Sequence, residues 1–415
     1  MLSKMKPIAA LALGQLLFHP AAARADVVLD WNAIAISTTS TQSPFAQARF
    51  LAITQLAVFE AVNAVTGDYR PYLGTVVATA GASAEAAAAQ AAHDVLKFYF
   101  PGSAASLDTA LATSLLAIPD GPAENYGVAT GAAAAAAMIA ARTGDGSAPP
   151  AFYPPGPATP GEWQSTPTCS PSGGNFFQWQ NVTPFGIGSV ADFLPGPPPA
   201  LDSNTYAKDY LEVKTVGSAT SPDRPQDRAQ VAQFYASASP GWVFNSAARQ
   251  VAIAKGRSLS ENARALALIN MGINDSLVAS FYTKYHYTFW RPETAIHGGD
   301  LDDNSKTVAD PTFAPFIATP CFPSYPSNHA SGSGGGAEVL RRIYGAAGHA
   351  ITLVHPVSGV TLFYTSFKQI TDDVDDARIY GGIHFRFDQE VGARLGREVA
   401  TEIYKSNLQP ARGRE

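Results

Sequence analysis

The sequence predicts an all-α protein, a helical-bundle core with long Pro/Gly-rich loops, on three observations. Apolar residues recur at three- and four-residue steps over several long segments, which is the helical period. β-branched runs that would read as strands are few, the best being 357–364. The 35 glycines and 31 prolines call for long irregular connections between the periodic segments.

The elements follow in chain order. Over 44–65, Phe45, Phe50, Leu51, Ile53, Leu56, Phe59, Val62 and Val65 recur with helical spacing. Segments 82–100 and 123–142 are alanine-rich, and alanine is the best helix former. Each has a stop, at Pro101 and Gly102 for the first and at Gly144 and Gly146 for the second. Residues 149–199 hold 13 of the 31 prolines, yet Trp163, Phe176, Phe177, Trp179, Phe185 and Phe193 are interspersed. A flexible linker lacks such aromatics, so this segment reads as an ordered loop wrapping the helical body. Helical patterns resume at 203–215, 226–236, 244–255 and 260–281, the last with Ser260 as candidate N-cap and Glu261 in its first turn. Two more follow at 331–344, which has a Gly-rich start, and at 384–404. No internal repeat is evident, so residues 26–415 read as a single helical domain.

Composition excludes some functions. With 28 Lys plus Arg against 34 Asp plus Glu the formal charge is −6, and no basic face for a nucleic acid is expected. At the N-terminus Lys4 and Lys6 precede an apolar run over 7–18, and Ala23, Arg24 and Ala25 give the small-x-small pattern of a signal-peptide cleavage site. Residues 1–25 are therefore expected to be a secretory signal peptide, leaving a periplasmic or secreted mature chain. No later stretch is expected to span a membrane. In an oxidising compartment Cys169 and Cys321 can form a disulfide, which would tie the Pro-rich loop to the segment before His329.

Three short clusters carry chemistry. In the first, Lys284 and Arg291 stand seven residues apart, two helical turns, so both cations can project from one face or from a helix end and its adjoining turn. Arginine offers a planar fork to two oxygens of an oxyanion, lysine a movable point charge. Alone, such a pair is more often two solvated charges. The second cluster runs from Phe322 through Ser324 and Ser327 to Asn328 and His329, just before the Gly-rich helix. Ser327 can be a plain N-cap, but a helix start also presents free N–H groups that suit an anion. The third contains Arg378, His384 and Asp388. Asp388, one turn beyond His384, can hydrogen-bond one imidazole nitrogen and leave the other basic and aimed. Asp223, Asp275, Asp375 and Asp376 are candidates to pair with Arg378 or Arg291.

In this order, Lys-x6-Arg-Pro, Pro-Ser-x-His and Arg-x5-His-x3-Asp resemble the tripartite signature of the vanadium-dependent haloperoxidase and type-2 phosphatidic-acid/acid phosphatase superfamily, in particular its chloroperoxidase-like bacterial branch. The resemblance covers roughly residues 160–405, including Trp163, Val182, Thr183, Pro184, Phe185, Glu212, Val213 and Lys214. It implies a helical-bundle core of the vanadium haloperoxidase/acid phosphatase type, with a pocket for vanadate in which phosphate would compete. By motif position, Lys284, Arg291 and Arg378 would grip the equatorial oxygens, and Ser327 Oγ and the Asn328 backbone N–H would add hydrogen bonds. His384 would be the vanadium ligand or the phosphorus nucleophile, and His329 the acid–base group opposite it. Arg386 would point elsewhere. The chain departs from the pattern at Asn328, where glycine is usual, and at Ala377, where serine is common. Asparagine keeps the N–H, so only the hydroxyl lost at Ala377 puts a supporting contact in doubt.

The same pocket serves two reactions. As a haloperoxidase the resemblance implies halide oxidation by hydrogen peroxide to hypohalous acid, with Lys284 polarising the bound oxidant and vanadium keeping its oxidation state. As a phosphatase it implies a phosphohistidine at His384, with a phosphomonoester as substrate and His329 protonating the leaving group. Phe289, Trp290, Arg291 and Pro292, and the segment 384–388, look like the haloperoxidase branch. Phe322 stands seven before His329, where chloroperoxidases usually have phenylalanine and bromoperoxidases histidine, although it can equally fill core. A non-catalytic oxyanion binder is the third reading; it would need the cations but not His329.

Overall fold

The computed structural model describes residues 26–156 and 158–411, so the expected signal peptide at 1–25 lies outside the described residues. Five helices lead: α1 (Val27–Thr38), α2 (Pro44–Thr66), α3 (Ala84–Tyr99), α4 (Ala104–Leu115) and α5 (Pro122–Ala141). Ser43 opens α2 by accepting from Ala46 N, Pro44 takes the first helical position, and Gly67 closes it at φ 66°. That is the N-terminal proline, C-terminal glycine asymmetry of a well-bounded helix. Between 142 and 203 the described residues form short 3₁₀ turns and isolated bridges, as the proline count requires. Then come α6 (Asn204–Val216), α7 (Gln226–Ser237), α8 (Pro240–Lys255), α9 (Leu259–Tyr287), α10 (Pro292–His297) and α11 (Asn328–Tyr344). A hairpin of β1 (Ala347–Val354) and β2 (Thr361–Ser366) precedes α12 (Phe367–Tyr380) and α13 (Arg386–Ser406). The fold is all-α, with this one antiparallel strand pair among the described residues, Ile351 opposite Tyr364.

Three expectations are corrected. The strand expected at 357–364 begins instead at Thr361, because 355–360 form the turn, closed by His355 N to Val360 O at 2.9 Å. The N-cap of α9 is Ser258, not Ser260, since Ser258 and Glu261 form a reciprocal capping box that requires a three-residue spacing. A helix long and apolar enough to cross a membrane does exist past residue 25. It is α2, with 23 residues, but 83% of its most apolar window is buried against the rest of the protein. That is the position of a core helix, packed on α3, α5 and α9.

The Gly-rich start of α11 has a packing reason. A Cβ on Gly334 would stand 2.6 Å from Ala393 O, one on Gly392 would stand 2.6 Å from Ser327 O, and one on Gly396 would collide with Ser331 O. On the other side, a Cβ on Gly335 would meet Gly272 O at 2.5 Å. Glycines therefore let α11 approach α13 and α9 backbone to backbone. This draws the first turn of α11, the last turns of α9 and the start of α13 to one place. A second cluster of buried aromatics, Phe289, Trp290, Tyr325, Phe385 and Phe387 with Tyr206 and Tyr210, joins all three sequence motifs around that place. The Cys169–Cys321 disulfide is formed, with Cα atoms 5.2 Å apart, and ties the proline-rich loop to the chain that enters the second motif.

Candidate oxyanion site

Each predicted residue is delivered by a different local device. Lys284 lies in the last turn of α9, and Arg291 caps α10 after a Thr288 turn at φ 47°. Ser327 is the N-cap of α11, its Oγ accepting from Ala330 N at 3.3 Å, with Asn328 and His329 in the first turn. Arg378 sits in the last turn of α12. His384 falls in the turn just before α13, whose start is set at Arg386 by the Asp388 carboxylate accepting from Phe385 N at 3.1 Å.

The three cations are buried and held by main-chain carbonyls. Lys284 Nζ donates to Pro323 O and Ser324 O, both at 2.7 Å. Arg291 Nε donates to Phe322 O at 2.8 Å and its Nη1 to Ile383 O at 3.0 Å. Arg378 Nη1 donates to Tyr235 O at 2.9 Å. None of the three makes a salt bridge among the described residues. Asp223, Asp275, Asp375 and Asp376 therefore do not pair with them. Asp275 instead accepts from Phe185 N and Gly186 N, at 2.8 and 2.7 Å, and anchors the long loop. Asp376 bonds Arg386 and Arg228 at 3.0 and 3.4 Å, while Asp223 is exposed. Arg386 completes its pairing with Glu212 at 2.6 Å, outside the site as expected.

The tautomer of His384 follows from its partners. Arg291 Nη1 lies 2.9 Å from His384 Nε2, and because a guanidinium can only donate, Nε2 must present its lone pair. Nδ1 then carries the proton and donates to Asp388 Oδ2 at 2.8 Å. Ser324 Oγ donates to the same carboxylate oxygen at 2.6 Å. Ser327 N also reaches Asp388 O at 2.9 Å, so Asp388 couples the second motif to the third.

The charges push one another in a consistent direction. Burial, then the charge of Arg291, lowers Lys284 well below the ordinary lysine value. Burial brings Arg291 down to about 9 and Arg378 to about 10. His384 and His329 are driven well below the ordinary imidazole value, first by burial and then by the neighbouring cations. Burial also lifts Asp388 to about 6, against the opposing Ser324 hydrogen bond. Every one of these shifts except that of Asp388 would be relieved by an anion among the cations. The donors for it are present: Arg291 Nη2, Arg378 Nε and Asn328 Nδ2 are buried without a partner among the described residues. The first N–H groups of α11, those of Asn328 and His329, precede any helical acceptor and add the partial positive charge of a helix start. These groups fit a tetrahedral or five-coordinate oxyanion such as vanadate or phosphate.

Phe322 forms the apolar wall, its ring centroid 5.3 Å from Lys284 Nζ and 5.0 Å from Arg291 Cζ. Behind it stand Phe281, Phe45 and Phe176, at 5.5, 6.0 and 6.3 Å between ring centroids. Four contributors went unread in the sequence: Ser324, Tyr235, Phe45 and Ser280, whose Oγ donates to Asn328 Oδ1 at 2.6 Å. Ser324 lies in the second cluster but outside Pro-Ser-x-His, so its spacing marked no role for it. The remaining described histidines take partners elsewhere, for instance His93 between Asp94 and Asp108, and His297 on Phe313 O.

Comparisons with known proteins bear on the family and the fold. Residues 264–413 match the family model described as the VCPO second helical-bundle domain. A 92-residue stretch is 33% identical to vanadium chloroperoxidase of Curvularia inaequalis, spanning 20% of this chain and 14% of that protein. Among solved structures, a bacterial vanadium-dependent iodoperoxidase is 24% identical, with a TM-score of 0.76 over 92% of this chain and 96% of its own. A bacterial vanadium-dependent chloroperoxidase in its apo form is 14% identical, with a TM-score of 0.72 over 88% and 94%. Its holo form gives 16% identity and a TM-score of 0.67 over 89% and 93%. At these identities the structural likenesses establish a shared fold.

Proposed function

We propose that this chain, whose residues 264–413 match the model of the VCPO second helical-bundle domain, is a vanadium-dependent haloperoxidase, an enzyme that binds vanadate and oxidises halide with hydrogen peroxide to hypohalous acid. The observation that carries the reading is a triad of carbonyl-held cations converging on a lone-pair-bearing His384 Nε2, inside the segment 264–413 that matches the family. When bound, vanadate would supply the Lewis-acid centre that activates hydrogen peroxide toward halide.

The chain's own residues do the rest. Lys284, Arg291 and Arg378 would offset the charge of the anion and orient its oxygens, working in a site from which burial excludes water. Their spare N–H groups cost no reorganisation at the moment of reaction, because main-chain carbonyls already hold them. Ser327 Oγ and the α11 N–H groups would add hydrogen bonds. Asp388 keeps the proton on His384 Nδ1, and His384 would exchange its Arg291 donor for the anion. His329, partly exposed, would accept a proton from an incoming peroxide. The Phe322 wall would keep halide close and bulk water out. The leader-like segment 1–25 supports action in the periplasm or outside the cell.

A paired assay tests the proposal: halide-dependent peroxide consumption with and without orthovanadate, beside hydrolysis of a phosphomonoester. Vanadate-dependent oxidation lost in His384→Ala is expected. Phosphate release that vanadate inhibits, with no halide oxidation, would transfer the same residues to phosphohistidine chemistry. Anion binding without either reaction would leave a binder.

A further inference from the structure

A second concave feature lies on the far side of the aromatic wall. It is a cleft of about 780 Å³ between the start of α2, the end of α3 and the loop 142–179. Six rings line it: Phe50, Phe98, Tyr99, Phe152, Phe176 and Trp179. Two of these stand open to solvent, Phe98 at 61% and Phe152 at 45% exposure, at the rim. Exposed phenylalanines beside a cleft are unusual for a fold that had somewhere else to put them, and they point to an apolar ligand.

The floor of the cleft is charged. Arg49 Nε donates to Asp145 Oδ2 at 2.7 Å, and Arg142 Nε donates to the same oxygen at 3.2 Å. Burial pushes the Asp145 carboxyl up, but the Arg49 hydrogen bond and charge hold it below its ordinary value, so it is ionised. Two guanidiniums on one carboxylate leave a single positive charge in excess, in a buried setting. Arg142 also donates from Nη1 to Pro184 O and from Nη2 to Thr183 O. Arg49 spends Nη2 on Arg142 O, and its Nη1 has no protein acceptor among the described residues. Arg49 lines the cleft with its guanidinium 5.2 Å from the Phe50 ring and 5.6 Å from that of Tyr99. A spare donor and an unbalanced charge at the bottom of a ring-lined cleft suit a small planar ligand that is aromatic at one end and anionic at the other.

The cleft also adjoins the oxyanion site. Phe176, part of its wall, packs on Phe45 at 4.8 Å, and both contact Phe322, the ring under Lys284 and Arg291. Resting on the haloperoxidase reading, we propose that this cleft binds the organic halogen acceptor, an aromatic carboxylate or phenolate, with its anionic end on Arg49. Hypohalous acid made next door would then meet an electron-rich ring held nearby. The ring carbon forms a bond to halogen as the halogen–oxygen bond breaks, the ring proton is lost, and water is released.

Isothermal titration calorimetry with 4-hydroxybenzoate, with neither vanadate nor peroxide present, tests the binding. Saturable binding in the full chain is expected, weakened at least tenfold by Phe152→Asp at the rim. The Arg49→Gln/Asp145→Asn double variant leaves no unpaired carboxylate; it should weaken 4-hydroxybenzoate to a similar degree but leave uncharged phenol unchanged. No saturable binding, or equal affinity in parent and Phe152→Asp, overturns the site. The acceptor role is read separately, from halogenation of the same probe beside oxidation of iodide to triiodide. The expected result is a raised KM for the probe in Phe152→Asp with triiodide formation unchanged. Equal probe kinetics in parent and variant, while triiodide forms, refutes the acceptor role alone. Failure of triiodide formation in the parent, with binding intact, refutes the haloperoxidase reading and not the cleft.

Discussion

Replacing Gly392 by alanine tests whether helix contact distance sets the geometry of the oxyanion site. The new Cβ would lie 2.6 Å from Ser327 O, 3.0 Å from Ala330 Cβ and 3.2 Å from Ser331 Oγ. Ordinary contact begins near 3.4 Å, so α11 and α13 must part by about 0.8 Å at this point. Overpacking of this kind costs about 1–3 kcal/mol. Alanine in a helix interior returns up to ~1 kcal/mol over glycine. The net expectation is a loss of about 1–2 kcal/mol in urea unfolding. The site should suffer out of proportion, because the carbonyl that is struck belongs to Ser327, the cap whose N–H is bonded to Asp388 O. A displacement approaching 1 Å in a positioning group costs on the order of 10²-fold in rate. Gly102→Ala, at a position where a Cβ meets nothing within 4 Å, is the control and should fall within about 0.5 kcal/mol of the parent. Parent-like stability together with parent-like vanadate affinity and turnover in Gly392→Ala would refute the argument, since it would show slack between the helices.

Three further outcomes follow from features already described. Orthovanadate or phosphate should raise the unfolding free energy by about 2.7 kcal/mol at a hundredfold excess over Kd; Arg378→Ala should weaken that binding by roughly 30- to 1000-fold, in equilibrium dialysis, and an unchanged Kd would remove Arg378 from the site. Reducing Cys169–Cys321 should lower stability by about 2–5 kcal/mol, seen as a shifted urea midpoint with and without reductant; no shift would mean that the bridge constrains little. Burial pushes the Asp375 carboxyl up to about 7, above its unfolded value near ~3.9, so its contribution to stability is complete at pH 4 and lost as pH rises through 7. Asp375→Asn should therefore gain on the parent by about 2–4 kcal/mol between pH 4 and pH 8, and a difference that is the same at both pH values would rule this out.

The side chains proposed to face the anion were legible in the sequence because the signature they resemble restricts their type. Lys284, Arg291, Ser327, His329, Arg378, His384 and Asp388 stand out because their motifs, in this order, resemble a known signature. What holds them was not legible. Lys284, Arg291 and Arg378 rest on the carbonyls of Pro323, Ser324, Phe322, Ile383 and Tyr235, and a carbonyl leaves no mark in residue type. For the same reason acidic side chains were sought as partners and were not there. Helices with alternating apolar faces, such as α2 and α9, read clearly. The helix α4 did not, since its alanines, serines and threonines bury only Leu107 and show little periodicity. Strand β1 was hidden because its partner begins after an irregular turn, and its register is broken between Ala347 and Ile351. The glycines of α11 were visible, but their purpose depended on α13 and α9 lying against them, a tertiary fact.

Holding the cations by peptide oxygens has a consequence for acid tolerance. Carboxylate clamps let go as they protonate, and a site built on them loosens in acid. Peptide oxygens do not titrate in the range proteins survive, so the clamps on Lys284, Arg291 and Arg378 keep their shape as pH falls. Acid reaches this site through His384, His329 and Asp388, and leaves its scaffold in place.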